Sequence, residues 1–185
     1  MRTFIAIDLD HELKKNLSIL INRLNKGSKD IKWVSEEGMH LTLKFLGEIS
    51  QEKVQDVENI LKKIFSMHKP FPLKLKGTGF FPPEKKNPRV LWVGIEEEPN
   101  LRDLQDRLEG ELEKLGFPRE KRKFHPHLTL GRVKIPSKLE QTLLELEKQR
   151  ESNFGEMTVK KMTFFQSTLE PSGARYTVLS EFELK

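Results

Sequence analysis

The tetrapeptide His40-Leu41-Thr42-Leu43 recurs as His127-Leu128-Thr129-Leu130, 87 residues further along (127 against 40). In a β-strand, successive side chains alternate faces, so each copy turns a histidine and a threonine to one side and two leucines to the other. The leucines can pin the strand to a core. The imidazole and hydroxyl then stand about 6.5–7 Å apart, two strand rises, on the opposite face.

The flanking segments repeat as well. Before the first copy, Met1 to Asp8 is β-rich, and Asp10 opens a stretch with Leu13, Leu17, Leu20, Ile21 and Leu24 at helical spacing, with Gly27 as its stop. After it, Ser50 can cap a helix carrying Val54, Val57, Leu61, Ile64 and Phe65, and Pro70 and Pro72 lead into an extended piece. The order then restarts. Val90 to Ile95 reads as a buried strand, and Leu101, Leu104, Leu108, Leu112 and Leu115 form a helical stripe ended by Gly116. A strand over Leu128 to Val133 follows. Ser137 and Glu140 make a capping box for a helix bearing Leu139, Leu143 and Leu146, Met157 to Phe165 is extended, and Arg175 to Leu184 is a last strand.

Two long units are too few for a solenoid. The expected fold class is α+β: a bilobed, pseudo-twofold fold in which each lobe is an antiparallel sheet with two helices packed outside. The half-repeats run over about 1–86 and 87–185 within one bilobed domain of 1–185, and Pro82 to Pro88 is the loop between them. The final strand can return to the first half.

Composition sets the outer bounds. Of 185 residues, 36% are apolar, enough for a sizeable core without a disulfide or metal scaffold. The absence of cysteine removes disulfides, thiolate zinc sites and thiol nucleophiles, and fits a reducing compartment. Lys and Arg outnumber Asp and Glu 33 to 28, and the resulting net charge of +5 favours anionic partners. The longest apolar run, Val90 to Ile95, is far short of the ~20 residues that cross a bilayer, and Asp8 interrupts the N-terminus before a signal-peptide core forms. A cytoplasmic protein without a membrane partner is expected, with monomer as the default state.

If the two halves face each other, two imidazoles and two hydroxyls line one cleft. Such a quartet suits a tetrahedral phosphoryl centre. One neutral imidazole takes a proton from the attacking oxygen, a protonated one gives a proton to the leaving oxygen, and the threonines donate to non-bridging oxygens. Histidine, with an ordinary pKa near ~6.5, has both protonation states within reach around neutrality. The scheme requires no metal or cofactor. A metal site on His125 and His127 with a distant carboxylate is the rival chemistry, although Pro126 interrupts its local geometry. Gly77-Thr78-Gly79 lacks the rest of a phosphate-binding glycine fingerprint. His11 and His68 read as surface residues.

At these motifs the sequence resembles the two-histidine phosphoesterase superfamily, in particular its RNA 2′,3′-cyclic phosphodiesterase branch, also described as 2′-5′ RNA ligases. The likeness runs from Met1-Arg2-Thr3-Phe4-Ile5-Ala6-Ile7 through His40 to Glu48, Pro88 to Gly94 and His125 to Arg132, and ends with Gln166 to Tyr176. It implies a central cleft between the lobes and hydrolysis of an RNA 2′,3′-cyclic phosphate end, or of a related nucleotide, to a 2′-phosphomonoester. It further implies that His40 is the proton donor to the departing 3′ oxygen, that His127 activates water, and that Thr42 and Thr129 hold the phosphate. The reverse reaction would be a 2′-5′ ligation. From a different class, the alternative is an RNA-binding module using the same cleft without turnover.

Strand parity puts Lys44 on the face of His40 and Thr42, while its counterpart is Gly131. The same parity points Arg132 inward with the leucines unless the strand bends, so Arg132 is either a phosphate clamp or a structural ion pair. The basic run Arg119 to Lys123 can steer an RNA backbone, and Phe80, Phe81, Phe124 and Tyr176 can stack on bases.

Overall fold

The computed structural model describes residues 1–25, 29–83, 87–135, 139–171 and 173–185. The expected helix stop at Gly27, the capping Ser137 and the centre of the Pro82–Pro88 loop lie outside the described residues. In chain order the elements are β1 (Arg2–Asp8), α1 (His11–Leu24), β2 (Ile31–Trp33), a 3-10 turn at Glu36–Gly38, β3 (His40–Glu48), α2 (Gln51–Phe65) and β4 (Phe71–Phe81). They continue with β5 (Val90–Ile95), α3 (Pro99–Lys114), β6 (His127–Val133), α4 (Glu140–Lys148), β7 (Asn153–Val159), β8 (Lys161–Glu170) and β9 (Gly173–Glu183).

Helices α1, α2 and α3 form where the apolar stripes predict them, whereas α4 starts at Glu140 and leaves Leu139, expected within it, at the N-cap. Asp10 caps α1 by accepting from the Leu13 amide at 2.9 Å, and Leu13, Leu17, Leu20, Ile21 and Leu24 are its buried face. Ser50 occupies the N-cap of α2 without a side-chain bond to a backbone amide of the first turn, and Gly116, at φ +90°, follows α3 in the left-handed conformation suited to glycine. The extended stretch expected at 157–165 is the junction of two strands, β7 and β8. The short β2 carries no alternation long enough to register in the sequence.

The strands form two antiparallel sheets, of order β3-β1-β8-β9 and β2-β6-β5-β4-β7. Helices α2 and α3 pack against the first, and α1 and α4 against the second. This is the two-sheet, four-helix α+β architecture the repeat predicts, but neither sheet is built from one half of the sequence. Each half crosses over near its end: β4, the last strand of the first half, pairs with β5, and in the second half β8 pairs with β1. The helices cross too, since α1 lies on the five-stranded sheet and α3 on the four-stranded one.

Ile5, Ile7, Leu41 and Leu43 from the first sheet and Leu91, Val93, Leu128 and Leu130 from the second belong to one continuous core. Each such fully buried side chain is worth about 1.5–3 kcal/mol. Phe4, Ala6 and Phe165 form a separate small cluster capped by Tyr176. Among the described residues, no helix is long and apolar enough to cross a membrane.

Candidate active site

The two His-x-Thr motifs open β3 and β6. Their leucines are at most 4% exposed, whereas His40, Thr42, His127 and Thr129 are half-buried on the other face. Strand β3 lies at the edge of its sheet, β6 is second from the edge of the other, and the two approach within 8 Å at the Cα level.

Both motifs end in a β-bulge at their last leucine. Along β1, Ile5 is opposite Lys44 and Ala6 is opposite Thr42, which leaves Leu43 as the extra residue. Along β5, Leu91 is opposite Gly131 and Trp92 is opposite Thr129, which leaves Leu130 extra. An extra residue reverses strand parity beyond it. Simple alternation therefore fails for Lys44 and Arg132, in opposite directions.

Lys44, expected beside His40 and Thr42, turns into the interior, where its ammonium meets Glu109 of α3 at 2.6 Å and donates to the Pro118 carbonyl at 2.9 Å. It is a buried ion-pair partner and no candidate for a phosphate contact. Phe45, at the next position, faces out at 63% exposure with its ring 5.8 Å from Phe4. Arg132, expected inward, is exposed, forms no ion pair among the described residues, and is near enough to His127 for its charge to disfavour the imidazolium. Both bulges thus add a third residue to the row: His40, Thr42 and Phe45 on one strand, His127, Thr129 and Arg132 on the other.

The two imidazoles meet different surroundings. His40 sits in an aromatic enclosure, with Phe4 at 4.8 Å, Phe165 at 5.6 Å and the edge-on Tyr176 at 5.0 Å between ring centres. Its Nδ1 is buried without a hydrogen bond of normal geometry. Burial is the main cause that pushes its pKa down to about 4; the Asp8 carboxylate opposite it and the nearby Glu37 backbone favour the charged ring, and Lys14 opposes it. Asp8 is itself bridged to Lys14 at 2.9 Å.

His127 is held by its own chain. Its Nδ1 lies 2.6 Å from the His125 carbonyl oxygen, which can only accept, so Nδ1 carries a proton and the neutral ring presents Nε2 as its basic atom. Burial lowers its pKa, the His125 carbonyl works the other way, and Arg132 lowers it further. Phe81 stands edge-on at 5.0 Å and Trp92 at 6.5 Å. Trp92 lies so close over Gly79 that a Cβ there would come within 2.3 Å of its ring, which is why glycine occupies that position.

Of the aromatics singled out in the sequence, Phe81 and Tyr176 flank the histidines, while Phe80 packs against the core. Phe4, Trp92 and Phe165 were missed. Strand parity sets Phe4 between buried Thr3 and Ile5 and Trp92 between buried Leu91 and Val93, but a short apolar run does not reveal which face a ligand meets. His68 is another correction: it is buried, bonded to the Ile64 carbonyl at 2.8 Å and to Asp103 of α3 at 3.1 Å. His11 is exposed, as expected. His125 is exposed and contributes its carbonyl, and among the described residues no group of three or more His, Cys, Asp or Glu side chains is arranged to hold a metal.

Comparison with known proteins gives concordant results. The family described as the 2′-5′ RNA ligase superfamily matches residues 13–169. The RNA 2′,3′-cyclic phosphodiesterase of Thermotoga maritima is 40% identical over 100% of this chain and 96% of its own length, and that of Methanothermobacter thermautotrophicus is 34% identical over 100% and 99%. Among solved structures, TT0787 of Thermus thermophilus superposes with a TM-score of 0.85 at 32% identity, covering 100% of this chain and 98% of its own. Escherichia coli LigT complexed with 3′-AMP superposes with a TM-score of 0.80 at 28% identity and the same coverage.

Proposed function

The chain belongs to the 2′-5′ RNA ligase superfamily and is a hydrolase of RNA 2′,3′-cyclic phosphates, and we propose that His40 and His127 carry the reaction as acid and base. The observation that supports this assignment best is the tautomer of His127. With Nδ1 donating to the His125 carbonyl, Nε2 is the free lone pair a general base requires. Burial disfavours the charged ring of His40 even with the Asp8 carboxylate and the Glu37 backbone nearby, and the negative charge of a cyclic phosphate would favour that ring further.

In the proposed step, His127 Nε2 takes a proton from water as its oxygen bonds to phosphorus. The bond from phosphorus to the 3′ oxygen breaks, and the imidazolium of His40 delivers its proton to that oxygen. The product is a 2′-phosphomonoester with a free 3′ hydroxyl. Thr42, Thr129 and Arg132 are the proposed donors to the non-bridging oxygens, whose charge grows in the transition state. Run backwards with a 5′ hydroxyl as the attacking group, the same site would form a 2′-5′ link.

The test uses an oligoribonucleotide ending in a 2′,3′-cyclic phosphate, with the protein held in excess EDTA. Turnover to a 2′-phosphate is expected, with a loss of kcat of about 10²–10⁴-fold in His40→Ala or His127→Ala and little change in RNA affinity. A 3′-phosphate product would overturn the assignment of acid and base, and activity unchanged by either substitution would remove the histidines from the mechanism.

A further inference from the structure

An open groove of about 380 Å³ runs between α3 and the segment leading into β6. Arg102, Arg119, Lys121, Arg122, Lys123 and Phe124 are among the residues that line it, and from Phe124 the chain continues to His127. Two residues, His125 and Pro126, separate Phe124 from His127, at most about 11 Å of chain. The Phe124 end of the groove is therefore close along the chain to the second motif.

The cations differ in what they already bind. Arg102 is paired with Glu97 at 2.9 Å and Arg119 with Glu113 at 2.8 Å. Lys121, Arg122 and Lys123 form no ion pair among the described residues. The groove also holds carboxylates, and these are engaged. Glu109 is neutralised by Lys44, and Glu120 accepts from the Arg122 amide at 3.0 Å. Asp106 lies close enough to favour the charge on Arg119.

The root of the basic segment is fixed from inside. Lys44 bonds the Pro118 carbonyl, and Glu109, besides meeting Lys44, accepts from the Glu120 amide at 3.1 Å and from Gln105 at 3.2 Å. The buried pair begins two residues after Thr42, so the strand bearing the first histidine also holds the segment that leads into the second. Three consecutive cations that form no ion pair among the described residues, with Arg122 near enough to Glu120 to favour its carboxylate, stand on an anchored backbone as an anion track.

We propose that this groove is the subsite for the phosphodiester backbone of the RNA strand whose cyclic phosphate end lies between His40 and His127. The inference rests on the hydrolase reading above and extends it to strand length. Phosphates upstream of the terminal nucleotide pair with Lys121, Arg122 and Lys123, so an oligonucleotide is preferred to a cyclic mononucleotide.

Two measurements on the intact protein and the K121A/R122A/K123A variant decide it. The first is the ratio of kcat/KM for a cyclic-phosphate octaribonucleotide to that for a 2′,3′-cyclic mononucleotide. It is expected to be tenfold or more in the unsubstituted protein and to approach one in the variant. A ratio that the variant preserves overturns the subsite. The second is fluorescence anisotropy of a 2′-phosphate-ended octaribonucleotide across a salt series, where losing three contacts should flatten the slope of log K against log salt by about 2. If neither substrate is turned over, the hydrolase reading fails, and the anisotropy still judges the groove: equal affinity and equal slope overturn it.

Discussion

His40 and His127 hold equivalent strand positions, yet the first is enclosed by rings and the second is tied to a carbonyl. With a pKa of about 4, His40 is protonated in about one free molecule in a thousand at pH 7, so in its proposed role as acid it would have to be charged with help from the substrate. An anionic phosphate favours both imidazolium ions. The kcat profile, which reports the bound state, is therefore expected to lie at higher pH than the kcat/KM profile, whose optimum falls on the acid side of neutrality and whose lower limb lies near pH 4. Coincident profiles would contradict an acid recruited by its substrate. The same burial acts on stability. Because the folded pKa of His40 is below its ordinary value of 6.5, the unfolded chain binds more protons between those two pH values, and stability is lost as pH falls from 6.5 to about 4. The loss from this residue is at most about 3 kcal/mol. Urea unfolding of His40→Gln across this range should show a visibly shallower acid decline, and an unchanged one would deny the enclosure its effect.

At the scale of the element, the paired bulges explain what alternation could and could not reveal. His40, Thr42, His127 and Thr129 precede the bulges, and their shared face was legible from period-two parity alone. Lys44 and Arg132 follow them, and one inserted residue reversed the face of each. Nothing local in Leu43-Lys44-Phe45 marks the insertion, because the bulge is defined by the partner strand β1. Its consequence is a buried cation that needs Glu109. Lys44→Met should destabilise the protein by about 3–5 kcal/mol, since it strands a carboxylate in the interior, while K44M with E109L should regain much of that loss. Equal stability of single and double variants by thermal or urea unfolding would mean that the pair is not desolvated as the structure has it. Helices were easier to read, because an i, i+4 stripe such as Leu101 to Leu112 is set by its own sequence.

At the scale of the whole molecule, the sequence repeat and the sheets divide the chain differently. Residues 1–86 supply β1 and β3 to one sheet but β2 and β4 to the other, and residues 87–185 do the converse with β8 and β9 against β5, β6 and β7. The repeat was legible because like motifs recur in like order. The return of the final strand to the first half was open in the sequence, and β9 does join the sheet of β1 and β3; the matching passage of β4 into the other sheet was not legible, because that choice is made by long-range closure. The exchange brings β1 between β3 and β8, burying it on both faces, so Phe4 can floor His40 while Ile5 and Ile7 enter the core. We propose that the chain folds as one cooperative unit. Expressed separately, fragments 1–86 and 87–185 should each lack a cooperative thermal transition, since β1 has lost β8 and β5 has lost β4, leaving open strand edges. Mixed and refolded together, they should regain a single transition and measurable turnover of a cyclic phosphate. A cooperative transition in either fragment alone would show that a half can close its own core, and the exchanged strands would then be dispensable to the fold that brings the two histidines together.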